Sequence, residues 1–542
     1  MRSTALQGGT YDKASIALVL IVLAIILATF YDYGITWDEP LQDEYGDLVV
    51  EYYRSRLGDE PDNRALDFHN LYLYGGAFDS LVALARKVSP FPRFETRHFI
   101  NALIGLLGIV GCWRLTRSVS GASAAFWATV LLVVTPRFYG HMFNNPKDIP
   151  FAVGYVWSVY YLVIASRQLP KVTIATAAKL AVVIGLTMGV RVGGLILLLY
   201  WGAILVAFGL YRLVDRERRQ TLLPDSGHLT MTFLQVAAPA YLIMLAAWPW
   251  AQLSPFRNPL KALERISRFR WNRPVLFDGF EFKARNLPAS YYTHYFSIAL
   301  PEILLVLLPL AVAVALVVVA RRRATLDPIK VTALAIVAFA AVYPLIHVAS
   351  VKAVVYDGIR HLLFVLPPLA CLAGTTLAWL IRGSGSKSGR FQTLLLLALG
   401  IYLAFQASVM IRLHPYQTVY FNSFVGGLPG AAGRYETDYW GNSYREAALE
   451  LESFIESKVK RGPSRILRAK VCSTYLSSAY YFPSYLRRTG KDWRADFYIA
   501  TTRWRCDEML DGRVIATVER YGVPLAVVKD RRHLRRKSDP TQ

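Results

Sequence analysis

Several side chains in this 542-residue chain combine chemistry with an awkward position. Asp38 and Glu39 follow the first apolar run, in "YGITWDEP". His141, Lys147 and Asp148 lie in "RFYGHMFNNPKDIPF", and Arg191 in "GVRVGG". Lys352, Asp357, Arg360 and His361 lie in "VKAVVYDGIRHLLF". All sit at or near the ends of long apolar stretches, where charge is costly and usually belongs to a water-filled cavity or a site. Lys gives a phosphate a point charge and Arg a planar fork of donors. A carboxylate such as Asp38 can receive a proton. Cations for a phosphate and an acid beside them suit transfer of a group off a lipid phosphate.

Each residue also has a plainer reading. Asp38 suits the N-cap of a helix that starts near Pro40. Lys147 and Asp148 fit a neighbouring pair at a helix start, with Asp148 complementing the dipole. Arg191 can snorkel to the interface from a helix end. His141 and His361 fit hydrogen-bonded structural histidines. It is their occurrence together on one face that favours a site.

The elements that must position these residues are membrane helices. Hydrophobic residues make up 54% of the chain and the mean hydropathy is +0.31, with the apolar residues in long runs. Runs of about 20 apolar residues cross a bilayer as helices that satisfy their own hydrogen bonds. Eleven spans are expected, at 14–31, 98–116, 120–138, 149–166, 172–190, 192–211, 229–248, 298–320, 329–349, 361–381 and 391–411. The first reads as an uncleaved anchor, with no small-residue cleavage site before Asp32. The formal charge of +23 falls largely in short tracts between runs, among them "YRLVDRERR", "RRRATLDPIK" and "RGSGSKSGR". That pattern argues against a nucleic-acid partner and for a lipid bilayer, with the N-terminus and these tracts cytoplasmic. An odd number of spans places the C-terminal segment outside.

The expected class is a polytopic α-helical membrane protein of residues 1–411, with outside loops 32–97 and 249–297, and a small extracytoplasmic α/β domain over 412–542. Tyr45, Leu48, Val49, Tyr52 and Tyr53 make one apolar stripe, which predicts an amphipathic surface helix after Pro40. In the tail, "SYREAALELESFIESKVK" predicts a helix capped by Ser443 with Glu446 three residues on. Strands are expected near 466–472, 496–501, 513–519 and 523–528. Cys472 and Cys506, on the oxidising side, are a candidate disulfide. No metal-binding motif of the CxxC or HExxH kind occurs.

In order and placement, "TWDEP", "NNPKDIPF" and "DGIRHLLFVLPP" resemble the motifs of the GT-C superfamily of membrane glycosyltransferases. Within it the chain resembles bacterial members of glycosyltransferase family 39 and is similar to the lipid A aminoarabinose transferases. The stretch "HPYQTVYFNSFVGGLPGAAGRYETDYWGNSYREA" resembles one found in bacterial relatives. The likeness implies an inverting transferase of the bacterial cytoplasmic membrane that takes a hexosyl or pentosyl group from a polyprenyl-phosphate donor outside the membrane. It implies Asp38 as general base, with Glu39 orienting the acceptor or holding the loop. Lys147, Arg191 and Arg360 would bind the donor phosphate. His141, Asp148, Lys352, Asp357 and His361 would support them, Asp148 by fixing Lys147 or assisting a divalent metal ion of the kind some GT-C enzymes use. The chain lacks the extra repeat domain of eukaryotic protein mannosyltransferases, so a glycolipid, polysaccharide or protein acceptor all fit. A lipid-linked saccharide flippase would also need phosphate-binding cations. Transporters place them near the midplane, often in repeated halves, whereas these cluster at one face of a chain without repeats.

Overall fold

The computed structural model describes residues 2–58, 60–214, 222–269, 271, 273–322, 327–351, 353–354, 356–384, 389–458, 466–472 and 478–535. Lys352 and residues 215–219, 323–326 and 385–388 of the basic tracts therefore lie outside the described residues.

Among the described residues, nine helices are long and apolar enough to cross a membrane, from Gly9–Asp32 to Gly389–Leu413. The chain is a multi-pass membrane protein. Two of the eleven expected spans differ from simple crossings. The run 120–138 breaks into Ala122–Val133 and Pro136–Asn144, bent by 67°. Pro136 cannot donate a backbone hydrogen bond, and its ring crowds the preceding turn. The helix it starts is buried throughout and carries His141. The run 172–190 forms Ile174–Met188, 15 residues or roughly 22 Å of helix, short of the ~30 Å hydrocarbon core. It stops where the loop 32–97 packs against it: a Cβ on Gly75 would lie 2.0 Å from the Gly189 carbonyl oxygen. Ala77 N donates to that carbonyl at 3.1 Å, which starts the short helix Ala77–Arg86 beneath the loop.

The helix after Pro40 runs Glu39–Ser55. Its stripe of Tyr45, Leu48, Val49 and Tyr52 is buried against Ala65 and Leu71 of the same loop. The segment 249–297 and the residues just after it hold helices Pro249–Leu253 and Arg257–Ser267, a hairpin of β1 (Pro274–Phe277) and β2 (Phe280–Lys283), and the helix Tyr291–Ala299.

The tail helix spans Tyr444–Lys458 and packs on a sheet. The strands are β3 (Leu467–Val471), β4 (Leu486–Arg488), β5 (Phe497–Thr501), β6 (Arg513–Arg520) and β7 (Val523–Asp530), in the order β4-β3-β5-β7-β6. The β3 pairings are parallel and the other two antiparallel. The sequence lacks a signal for β4, three residues of which two are arginine. The expected capping box at Ser443 does not form. Its hydroxyl donates to Asp438 at 2.5 Å, and Glu446 is held by Tyr416 and Arg520. Cys472 and Cys506 are disulfide-bonded.

Candidate functional site

Asp38 sits in a loop pinned from both sides by the segment 414–447. Gly34 N donates to Asn442 Oδ1 at 2.6 Å, and Trp37 N to the Trp440 carbonyl at 3.2 Å. The expected capping by Asp38 does not occur. Its backbone is already helical at φ −84°, ψ −25°, and its side chain makes no cap bond, because a capping side chain needs an extended backbone to reach the first free N–H groups. Thr36 and Glu39 take that role as half a capping box, with Thr36 N donating to Glu39 Oε2 at 2.7 Å. The carboxylate of Asp38 is left free. It is 47% exposed among buried charges: Asp148 is 4%, Arg360 8% and Asp357 2% exposed.

Glu39 departs from its expected place at the acceptor. It is fully buried and faces inward, 3.0 Å from His98 Nε2 and 4.0 Å from Arg97 Nε. A group with no exposed surface cannot touch an acceptor, so Glu39 holds the loop.

The cations converge as the sequence suggests, through partners it does not reveal. Arg360 Nη1 lies 3.7 Å from Asp38 Oδ2 and 3.9 Å from Asp148 Oδ2. Arg191 Nη2 lies 2.5 Å from Asp148 Oδ1. Asp148 therefore fixes the two arginines rather than its neighbour Lys147. At the start of its helix its side chain is turned toward Asn145, whose amide donates to it at 3.0 Å. Lys147 is instead held by Asp79, at 3.3 Å, which also accepts from Arg97 Nη2 at 2.5 Å. Lys147 and Arg191 share one ring, lying 4.8 and 5.9 Å from the centre of Tyr74. Arg360 lies between Tyr356 and Trp440, 5.0 and 4.8 Å from their centres.

The supporting residues divide. Asp357 joins the site, 3.1 Å from Arg360 Nε. His361 packs on Tyr356 with ring centres 4.9 Å apart. His141 is fully buried behind the site between Tyr439 OH, at 2.9 Å, and Asn145, at 3.2 Å. It is the structural histidine of the plainer reading.

Electrostatics separates the roles. Burial pushes the Asp38 carboxyl above its ordinary value, against the pull of Arg360. Burial also lowers the Lys147 ammonium, and Asp79 opposes that shift. Arg191 Nε is buried without a hydrogen-bond partner among the described residues, and Arg360 Nε is turned to Asp357. The acids do not fit a divalent metal: Asp38, Asp148 and Asp357 each face an arginine, and no cluster of three or more metal-ligating side chains occurs among the described residues.

Asp79, Tyr74, Trp440 and Arg503 escaped the sequence reading. Asp79 sits in a helix of mixed pattern, and Arg503 comes from the tail sheet.

No family model matches the chain, and no curated protein matches it at a significant level. Solved structures of ArnT from Cupriavidus metallidurans are similar in fold. The apo form aligns with a TM-score of 0.50 at 16% identity, over 95% of this chain and 98% of that one. The form bound to undecaprenyl phosphate aligns with 0.51 at 14% identity, over 94% and 98%. The fold is that of the GT-C membrane glycosyltransferases, with a small C-terminal sheet domain.

Proposed function

We propose that the protein is an inverting glycosyltransferase. It moves a sugar from a polyprenyl-phosphate donor to an acceptor hydroxyl at the outer face of the bacterial cytoplasmic membrane. The observation that carries this reading is the convergence of Lys147, Arg191 and Arg360 beside the open carboxylate of Asp38. The similarity in fold to ArnT solved with undecaprenyl phosphate agrees with it.

In this reading Asp38 takes the acceptor hydroxyl proton while the acceptor oxygen attacks the anomeric carbon. The carbon–oxygen bond to the phosphate breaks, and the electron pair leaves on the polyprenyl phosphate. Configuration inverts, because attack and departure occur on opposite faces. A base works best with a pKa near the working pH, which the upward shift of Asp38 favours. The charge that develops on the leaving phosphate needs cations already in place. Arg360 supplies one within 3.7 Å of the base, so proton removal and leaving-group stabilisation occur side by side. Asp357 holds Arg360 through Nε and leaves Nη1 toward Asp38 and Asp148, and a planar fork held in this way suits phosphate oxygens. The acceptor carries its hydroxyl on a glycolipid, a polysaccharide or a protein, and the sugar is a hexose or a pentose.

The test is Asp38→Asn, assayed in membranes with a radiolabelled polyprenyl-phosphate sugar. Transfer falls by roughly 10²–10⁴-fold, the usual worth of a general base, while polyprenyl phosphate still binds. Unchanged transfer removes the assignment.

A further inference from the structure

Beyond the segment that carries Trp440, the C-terminal domain also reaches the proposed site through Arg503, next to its sheet. Arg503 lies just past β5 and is 7% exposed. Its Nη2 donates to Asp357 Oδ1 at 2.5 Å, and its Nε lies 3.3 Å from Glu436 Oε1. It also donates to the Tyr439 carbonyl. Three tryptophans box the guanidinium: Trp504, Trp37 and Trp271, at 4.4, 5.6 and 5.8 Å from their ring centres. They come from the tail, the Asp38 loop and the segment 249–297.

The other Asp357 oxygen, Oδ2, faces Arg360 Nε at 3.1 Å. One carboxylate thus joins Arg503 to Arg360, and Arg360 ends beside Asp38. Asp357 and Gly358 have left-handed backbones, with φ of 60° and 65°, a conformation that costs free energy at a non-glycine residue and persists where the surroundings hold it. Arg503 is part of those surroundings. Its own segment is fixed by Cys506, three residues on, through the disulfide to Cys472 at the end of β3.

We propose that the C-terminal domain completes the site: Arg503 is a positioning residue that holds Asp357 and, through it, sets Arg360 on the donor phosphate. The proposal rests on the glycosyltransferase reading. Arg503 itself touches neither the donor nor the acceptor. A shift of about 1 Å in a positioned group can cost on the order of 10²-fold, so losing Arg503 should weaken phosphate binding about 10- to 100-fold.

The experiment uses the full chain in detergent and measures binding of undecaprenyl phosphate, then donor and acceptor KM. Arg503→Gln weakens binding and raises donor KM, with acceptor KM unchanged. Arg503→Lys, which keeps the charge but not the fork, falls between it and wild type. In an Arg360→Gln background, Arg503→Gln adds nothing further, since its effect runs through Arg360. Wild-type binding that Arg503→Gln leaves unchanged overturns the proposal and spares the glycosyltransferase reading. Additive losses in the double variant overturn the link through Arg360. A wild type that does not bind undecaprenyl phosphate overturns both. If Arg503→Gln does not fold, Arg503→Lys decides, and wild-type binding by that variant refutes the proposal.

Discussion

Asp79→Asn isolates what holds Lys147 charged. The Lys147 side chain is 7% exposed, and its ammonium lies 3.3 Å from Asp79 Oδ2, its carboxylate partner among the described residues. At an effective dielectric near 20, that separation corresponds to roughly 5 kcal/mol of attraction. Breaking a buried pair by removing one partner typically costs ~3–5 kcal/mol. Burial already holds that ammonium below its ordinary value, with Arg191 and Arg97 pushing the same way. Without Asp79 it falls further. Arg97 keeps Asp43 at 3.6 Å and Glu39 at 4.0 Å, so its charge remains compensated. The assay is donor KM from about pH 6 to pH 9. In the variant, donor KM stays near wild type at the acid end and climbs as pH rises through the lowered Lys147 pKa. Adding Lys147→Arg, which cannot deprotonate in this range, abolishes the climb. A donor KM that matches wild type at every pH would refute the placement of Lys147 at the phosphate.

Three further outcomes follow from the geometry. Because burial lifts Asp38, transfer is lost as pH falls through a value above the ordinary ~3.9 of an aspartate; an acid limb at or below that value in kcat/KM contradicts the assignment. Asp148→Asn adds net positive charge yet should weaken undecaprenyl phosphate binding, since Arg191 and Arg360 then repel each other and Arg191, 22% exposed, can turn to solvent; tighter binding would mean that net charge, not placement, governs the site. Cys472→Ser opens a link spanning 34 residues, which by loop entropy destabilises the tail domain by ~4 kcal/mol, read as a lower denaturant midpoint that wild type reproduces under reductant.

The sequence carried the helices because apolar runs of membrane length announce themselves, and it carried the tail strands because Leu467–Val471 alternates apolar and basic residues and Val523–Asp530 is rich in valine. It gave no sign of the 67° bend within the run 120–138, because hydropathy does not register the missing N–H of Pro136. It found the cations because charge at a span end stands out against apolar neighbours. Their partners do not stand out. Asp79 looks like any acid on a short loop helix, and its value comes from Gly75 meeting Gly189, which brings that helix under Lys147. Asp357 and Arg503 are 146 residues apart, and no local pattern joins them. Glu39 was left between orienting the acceptor and holding the loop, because the sequence does not show that the helix start turns one of two adjacent acids inward and leaves the other open.

The partners also explain how so many cations can lie in one place. Each acid bridges two of them: Asp148 joins Arg191 and Arg360, Asp79 joins Lys147 and Arg97, and Asp357 joins Arg360 and Arg503. Further acids face the same cations: Asp38 faces Arg360, Glu436 faces Arg503, and Asp43 and Glu39 face Arg97. One carboxylate between two cations removes most of their repulsion and fixes their directions. Asp38 differs from the bridging acids, since it faces Arg360 at 3.7 Å, beyond hydrogen-bonding distance. An acid left weakly paired and open, beside cations that other acids hold in place, is the division that a proton acceptor and a leaving phosphate require.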